Sequence, residues 1–142
     1  MLQKLPAAYF SGLRLQRVDE EGCAVSVPFK WFTQNPFRST YFACLSMAAE
    51  MTTGILAMAH IYKRAPAVSM LVVGNEGRFL KKATGITTFH CADGARIRQA
   101  IEESIRSGQG QSVVARSEGR DSSGEVVAEF SFTWSFKPKG AR

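Results

Sequence analysis

The stretch Ser39–Tyr62, STYFACLSMAAEMTTGILAMAHIY, holds a single acid, Glu50, no Lys or Arg, and apolar side chains on every side of a helical wheel. A run this apolar, well over ten residues long and preceded by Pro36, reads as a helix enclosed by other structure rather than one lying on a surface. Its length would also suit a bilayer. Ser46, Glu50, Thr52, Thr53 and Gly54 fall in mid-segment, however, and a central carboxylate is costly in lipid. The segment therefore predicts a core helix and no membrane partner.

On the N-terminal side, Leu13, Leu15, Cys23, Val25, Val27 and Phe29 alternate with more polar neighbours, the period of half-buried strands, and Glu20-Glu21-Gly22 supplies their turn. On the C-terminal side, Val68–Val73 is a β-branched run, and 78–83 continues into 84–91. Gly74, Gly77 and Gly85 punctuate this region into two or three strands. A surface helix follows, with Asp93 as its cap, Ile97, Ile101 and Ile105 as one buried stripe, and Gly108 as its end. The strand 113–120, the turn Ser122-Ser123-Gly124 and the strand 126–136 complete the pattern, with Phe130, Phe132, Trp134 and Phe136 on one face. The tail 139–142 is expected to fray. The sum is an α+β chain in which an antiparallel sheet wraps a long central helix.

Residues 1–142 form one domain by length, and apolar and charged contents of 45% and 21% match an ordinary globular protein. The net charge of +6 would draw an anionic partner such as a phosphate or a phosphorylated carrier. The cations are scattered, which equally suits a plain basic surface. Because the aromatics near the C-terminus alternate as core, no nucleic-acid partner is expected. Cys23, Cys44 and Cys91 lack the spacing of a disulfide framework, and the segment 1–10 does not read as a secretory leader, so a cytoplasmic location is expected.

Glu50 is the candidate for chemistry, since burial raises a carboxyl pKa and makes the group a base or nucleophile if substrate reaches it. The alternative is a core acid paired with a buried Arg or hydroxyl. Asn35, just before Pro36, could donate to a thioester carbonyl or hold water, or serve as a turn residue. Thr53 and Ser69 are possible hydroxyls near Glu50. Arg78, Lys81 and Lys82 could form a basic rim. No GxSxG elbow, zinc spacing or phosphate loop occurs, and His90 and Cys91 should point to opposite faces of a strand, so no metal and no separate cofactor is expected.

The stretch Asn35 to Ala43, continued through Glu50 and Gly54, resembles the opening of the central helix in the PaaI-like thioesterases and their DUF4442-type relatives, which have the hotdog fold. In that pattern an Asn precedes a His-Gly-Gly helix start by six positions and an Asp or Glu lies nine further on, the spacing of Asn35, Tyr41 and Glu50 here. The segment 77–83 is similar to the strand after that helix. The resemblance implies hydrolysis of an acyl thioester of coenzyme A or acyl carrier protein, the coenzyme entering as part of the substrate. Asn35 would orient the thioester or water, Glu50 would act as base or nucleophile, and the N–H groups of Tyr41, Phe42 and Ala43 would polarise the carbonyl. It also implies a homo-oligomer, a dimer or dimer of dimers, with Asn35 and Glu50 on opposite subunits. Tyr41-Phe42-Ala43 departs from His-Gly-Gly, which leaves a non-catalytic acyl-CoA-binding protein as the second expectation.

Overall fold

The structure is a computed structural model and describes residues 1–140. A short helix α1 (Pro6–Phe10) leads into the hairpin β1 (Arg14–Val18) and β2 (Cys23–Val27). After a 3-10 turn (Trp31–Thr33) comes α2 (Phe42–Ile61), then β3 (Val68–Phe79), β4 (Thr87–Cys91), α3 (Gly94–Ser107), β5 (Gln111–Arg120) and β6 (Val126–Pro138). The strands form one antiparallel sheet in the order β1-β2-β4-β5-β6-β3.

The sheet curls around α2, which packs on β2, β4, β5 and β6. Although α2 has the length and hydropathy of a membrane span, it is a core helix, buried through Cys44, Leu45, Ala48, Ala49, Thr52, Gly54, Leu56 and Ala57. Small side chains are what allow strands to approach from several sides at once. Val25 and Val27 on β2, Phe89 on β4 and Phe130, Phe132, Trp134 and Phe136 on β6 close the core from the sheet. The expected alternation of β6 is observed.

Several local expectations change. The helix starts at Phe42, because Thr40 bridges to Gln34 and donates its N–H to the Ala83 carbonyl at 2.8 Å. Gly74 and Gly77 do not end a strand: β3 runs through both to Phe79, with a bulge between Val72 and Gly74. Gly77 is needed there because a Cβ would stand 2.6 Å from the Phe130 ring. The chain from Leu80 to Ile86 is a connection rather than strand. β1 is exposed along its length instead of half-buried, being the edge of the sheet. Lys139 is tied by its N–H to the Ala67 carbonyl at 2.7 Å rather than frayed, and residues 141–142 of the expected tail lie outside the described residues.

Asp93 stands at the N-cap position of α3 as expected, its carbonyl accepting the Ile97 N–H at 3.0 Å, but its side chain makes no cap hydrogen bond. Its Oδ2 accepts the N–H of Arg116 at 2.7 Å, and Arg96 Nη1 donates to the Val114 carbonyl at 2.7 Å. These two contacts cover the part of the β5 edge that β4, which pairs only with residues 118–120, is too short to reach. The start of α3 is pressed against the β1–β2 turn: Gly94 donates to the Glu21 carbonyl at 3.0 Å, and a Cβ on it would lie 2.1 Å from the Glu20 carbonyl oxygen. Gly94→Ala is therefore expected to destabilise the fold by about 2 kcal/mol through overpacking against backbone. Urea titration should show a lower midpoint with an unchanged slope.

Candidate functional site

Glu50 lies in the third turn of α2, half-buried. Gly54, one turn on, makes its room: a Cβ there would sit 3.3 Å from Glu50 Oε1 and 3.3 Å from Trp134 Cζ2. Trp134 is fixed beside it by donating its indole N–H to Thr53 Oγ1 at 2.8 Å, and Thr53 Oγ1 in turn donates to the Glu50 main-chain carbonyl at 2.8 Å. Thr53 thus braces the helix and the indole and makes no bond to the carboxylate. Among the described residues the carboxylate has no hydrogen-bond or ion-pair partner. Burial pushes its pKa above the ordinary Glu value. The alternative of a core acid paired with Arg or a hydroxyl is not what the structure contains.

Asn35 is bound into its own loop. Its Oδ1 accepts the N–H groups of Phe37 at 2.9 Å and Ser39 at 3.2 Å, and its Nδ2 donates to Ser39 Oγ at 3.0 Å and the Thr40 carbonyl at 3.4 Å. This holds the loop that delivers the chain to α2. At the helix start, the Tyr41 N–H donates to the Thr33 carbonyl at 2.7 Å, whereas the N–H groups of Phe42 and Ala43 have no acceptor among the described residues and no side-chain cap serves them. They are the orphan donors at the positive end of a 20-residue helix.

Beside the helix start lies a groove of about 630 Å³ lined by Asn35, Phe37, Tyr41, Phe42, Leu45, Phe79, Leu80, Lys81 and Lys82. Its wall is aromatic, with Phe42 set edge-on to Tyr41 at 5.1 Å and to Phe79 at 6.2 Å. Of the three expected rim cations, Lys82 has no ion-pair partner among the described residues, its Nζ donating only to the Phe37 carbonyl at 3.4 Å. Lys81 is held by Asp121 at 2.7 Å and Glu125 at 2.8 Å, acids from the β5–β6 turn whose approach was not readable from sequence. Arg78 stands elsewhere, on the sheet face turned away from α2, 3.6 Å from Glu76. Ser69 is on that outer face as well, bonded to the Lys137 carbonyl at 3.1 Å, because strand alternation turns Met70 and Val72 inward. The structure thus removes Arg78 and Ser69 from the constellation, and it adds Trp134, Phe79 and Leu80. Trp134 had been read only as core, and the exposed pair Phe79-Leu80 after Gly77 was the available signal for the groove.

A second depression, about 660 Å³ and polar, lies over the outer sheet face between Glu76, His90, Arg116, Glu118 and Glu129 and contains no part of this constellation. His90 is exposed and Cys91 buried, on opposite faces as expected, and burial pushes the thiols of Cys23 and Cys91 up to about 11 and about 12. Neither thiol is a nucleophile at neutral pH.

Residues 1–136 match the family described as a domain of unknown function, DUF4442. The chain belongs to this family. Solved structures of similar shape include a protein of unknown function from Pseudomonas aeruginosa called a probable thioesterase, at 24% identity and TM-score 0.83, covering 96% of this chain and 90% of that one. A protein of unknown function from Chlorobaculum tepidum aligns at 14% identity and TM-score 0.81, over 96% of this chain and 89% of its own. A thioesterase from Haemophilus influenzae aligns at 11% identity and TM-score 0.64, over 93% and 82%. No curated protein matches the sequence. The DUF4442 chain described here has the hotdog fold, an antiparallel sheet around a central helix, as its resemblance implied.

The raised pKa of Glu50 has a consequence for stability. Its neutral form is favoured in the folded chain, so its contribution is full below the unfolded carboxylate pKa and is lost as pH rises through the higher folded value. Glu50→Gln, neutral at every pH, is expected to melt above the wild type at about pH 8 and level with it at about pH 4, as read by calorimetry.

Proposed function

We propose that this chain hydrolyses an acyl thioester, with Glu50 as the base that activates water or as the nucleophile itself. The observation that carries the reading is an unpartnered, half-buried carboxylate with a raised pKa on the same helix whose first turn presents free N–H donors. Water attack on the thioester carbonyl places negative charge on oxygen, which the Phe42 and Ala43 N–H groups can hold. Glu50 takes the proton from water, and collapse releases the carboxylic acid and the thiol. The aromatic groove suits an apolar acyl group, and Lys82 suits the phosphates of coenzyme A or of a phosphopantetheine arm. The thioesterase descriptions of the Pseudomonas aeruginosa and Haemophilus influenzae structures point the same way.

One chain does not bring these parts to one carbonyl. Eight residues separate Phe42 from Glu50, roughly 12 Å along a helix axis, whereas a base and an oxyanion donor must serve the same reacting centre. A second copy supplies the remedy. β3 is a 12-residue edge strand paired only with β6 among the described residues, with Leu71 and Val73 exposed along it. Such an edge invites an identical strand. Antiparallel pairing of two β3 strands would carry Glu50 of one subunit toward the α2 start of its partner. The substrate site is then a property of a homodimer or of a dimer of dimers. Three free cysteines accord with a cytoplasmic setting.

Binding without turnover is favoured by two features: the side chain of Asn35 is fully engaged within its loop, and the Phe42 ring stands where a glycine would admit close approach. Free-thiol release from short, medium, long and aryl acyl-CoAs separates the two readings. The wild type is expected to turn over part of the panel, and Glu50→Gln to lose at least ~100-fold of that rate while still binding substrate. Full activity in Glu50→Gln would eliminate the carboxylate mechanism. Binding with no turnover by the wild type would favour the binding protein.

A further inference from the structure

Away from the groove, the N-terminal segment and the 3-10 turn join into a surface that is apolar and cationic at once. Within α1 only Ala8 is buried, while Leu5, Tyr9 and Phe10 are exposed. Phe10 is set edge-on to Tyr9 at 5.3 Å and lies 6.4 Å from Phe32 of the 3-10 turn, whose neighbour Trp31 is 81% exposed. These rings are held outward. Thr33, fully buried, donates its hydroxyl to the Pro28 carbonyl at 2.8 Å and accepts the Lys30 N–H at 3.0 Å, which fixes the turn with both rings in water.

The segments that carry them hold charge of one sign. From Met1 to Val18 and from Gly22 to Ala49 the sequence contains no acid. Lys30 Nζ lies over Gly12, 2.9 Å from where a Cβ would stand, and so sits between α1 and the turn beside the rings. Lys4, Arg14 and Lys30 have no ion-pair partner among the described residues.

We infer that this surface docks the protein on an anionic lipid bilayer, with Tyr9, Phe10, Trp31 and Phe32 entering the headgroup region and Lys4, Arg14 and Lys30 meeting lipid phosphates. Tryptophan, tyrosine and lysine together are the side chains that an interface between water and hydrocarbon accommodates best. A second copy of the chain is disfavoured as the occupant, because a twofold contact through this face sets its cations against their own copies. A soluble acidic partner would satisfy the cations and leave the rings wet. The expectation of no membrane partner rested on the absence of a spanning segment, and surface docking needs none. The inference stands apart from the thioesterase reading, since neither Glu50 nor the α2 start takes part.

The test is sedimentation of the 142-residue chain with vesicles of phosphatidylcholine alone or mixed with phosphatidylglycerol, with tryptophan emission read in parallel. Trp134 is buried and bonded to Thr53, so a blue shift on binding reports on Trp31. Binding to the anionic vesicles with that shift is expected. Phe10→Ser with Trp31→Ser should weaken it at least ~10-fold, and Lys4→Glu with Lys30→Glu should remove the preference for phosphatidylglycerol. Circular dichroism melting confirms that each variant is folded. The inference is overturned if the wild type ignores anionic vesicles, or if folded variants of both kinds bind as it does. It is equally overturned if the protein ignores vesicles while the aromatic variant changes oligomeric state, or while an acidic carrier protein occupies the surface.

Discussion

Everything in this molecule depends on enclosing a helix that has no polar face. α2 presents apolar side chains all round, so no orientation on a surface would satisfy it, and the sheet has to curl until β2, β4, β5 and β6 meet it from different sides. Close approach is possible because Ala48, Ala49, Thr52, Gly54 and Ala57 carry little bulk, while Phe89, Phe130, Phe132 and Phe136 reach in from the strands to fill the volume. The glycines that matter are those where a ring or a backbone comes too near for a side chain, Gly77 under Phe130 and Gly94 under the β1–β2 turn.

The same enclosure sets the state of Glu50. A carboxylate on an exposed helix would be solvated and ordinary. On α2, Glu50 is walled by Trp134 and the Gly54 backbone, and loses water without gaining a cation, which is why burial dominates its pKa. The helix start contributes a different property, two N–H groups without acceptors among the described residues, beside an aromatic groove lined by Phe42. Both belong to one helix, yet its rise per residue keeps them apart, and this separation is the physical reason for proposing that a complete site would need two subunits.

Two stretches of open ladder in the sheet are treated differently. The β5 edge beyond β4 is closed within the chain by Asp93 and Arg96 from α3, and the β3 edge is left with its ladder open and with Leu71 and Val73 beside it. The open ladder of β3 is the feature on which the proposed pairing with a second copy rests. The outer face, with Arg78, Glu118, Glu129 and His90, is polar and carries no link to Glu50.

The amino-acid sequence by itself determined the element types and the central pairing of sheet and helix. Periodicity and composition are local properties: the uninterrupted apolar run of α2 and the alternation of Phe130 to Phe136 state burial directly. It also singled out Glu50, because one acid in such a run is conspicuous. What only the tertiary structure decided are the facts that need distant residues to meet. Lys81 is paired with Asp121 and Glu125, Asp93 at the N-cap of α3 turns its carboxylate to the β5 backbone, and Thr53 bonds Trp134 instead of the carboxylate. Strand alternation, read across a bulge and with neighbours in hand, put Ser69 and Arg78 on the outer face. Such contacts span tens of residues of chain, and no local pattern encodes which partner a polar side chain finds once the sheet has closed.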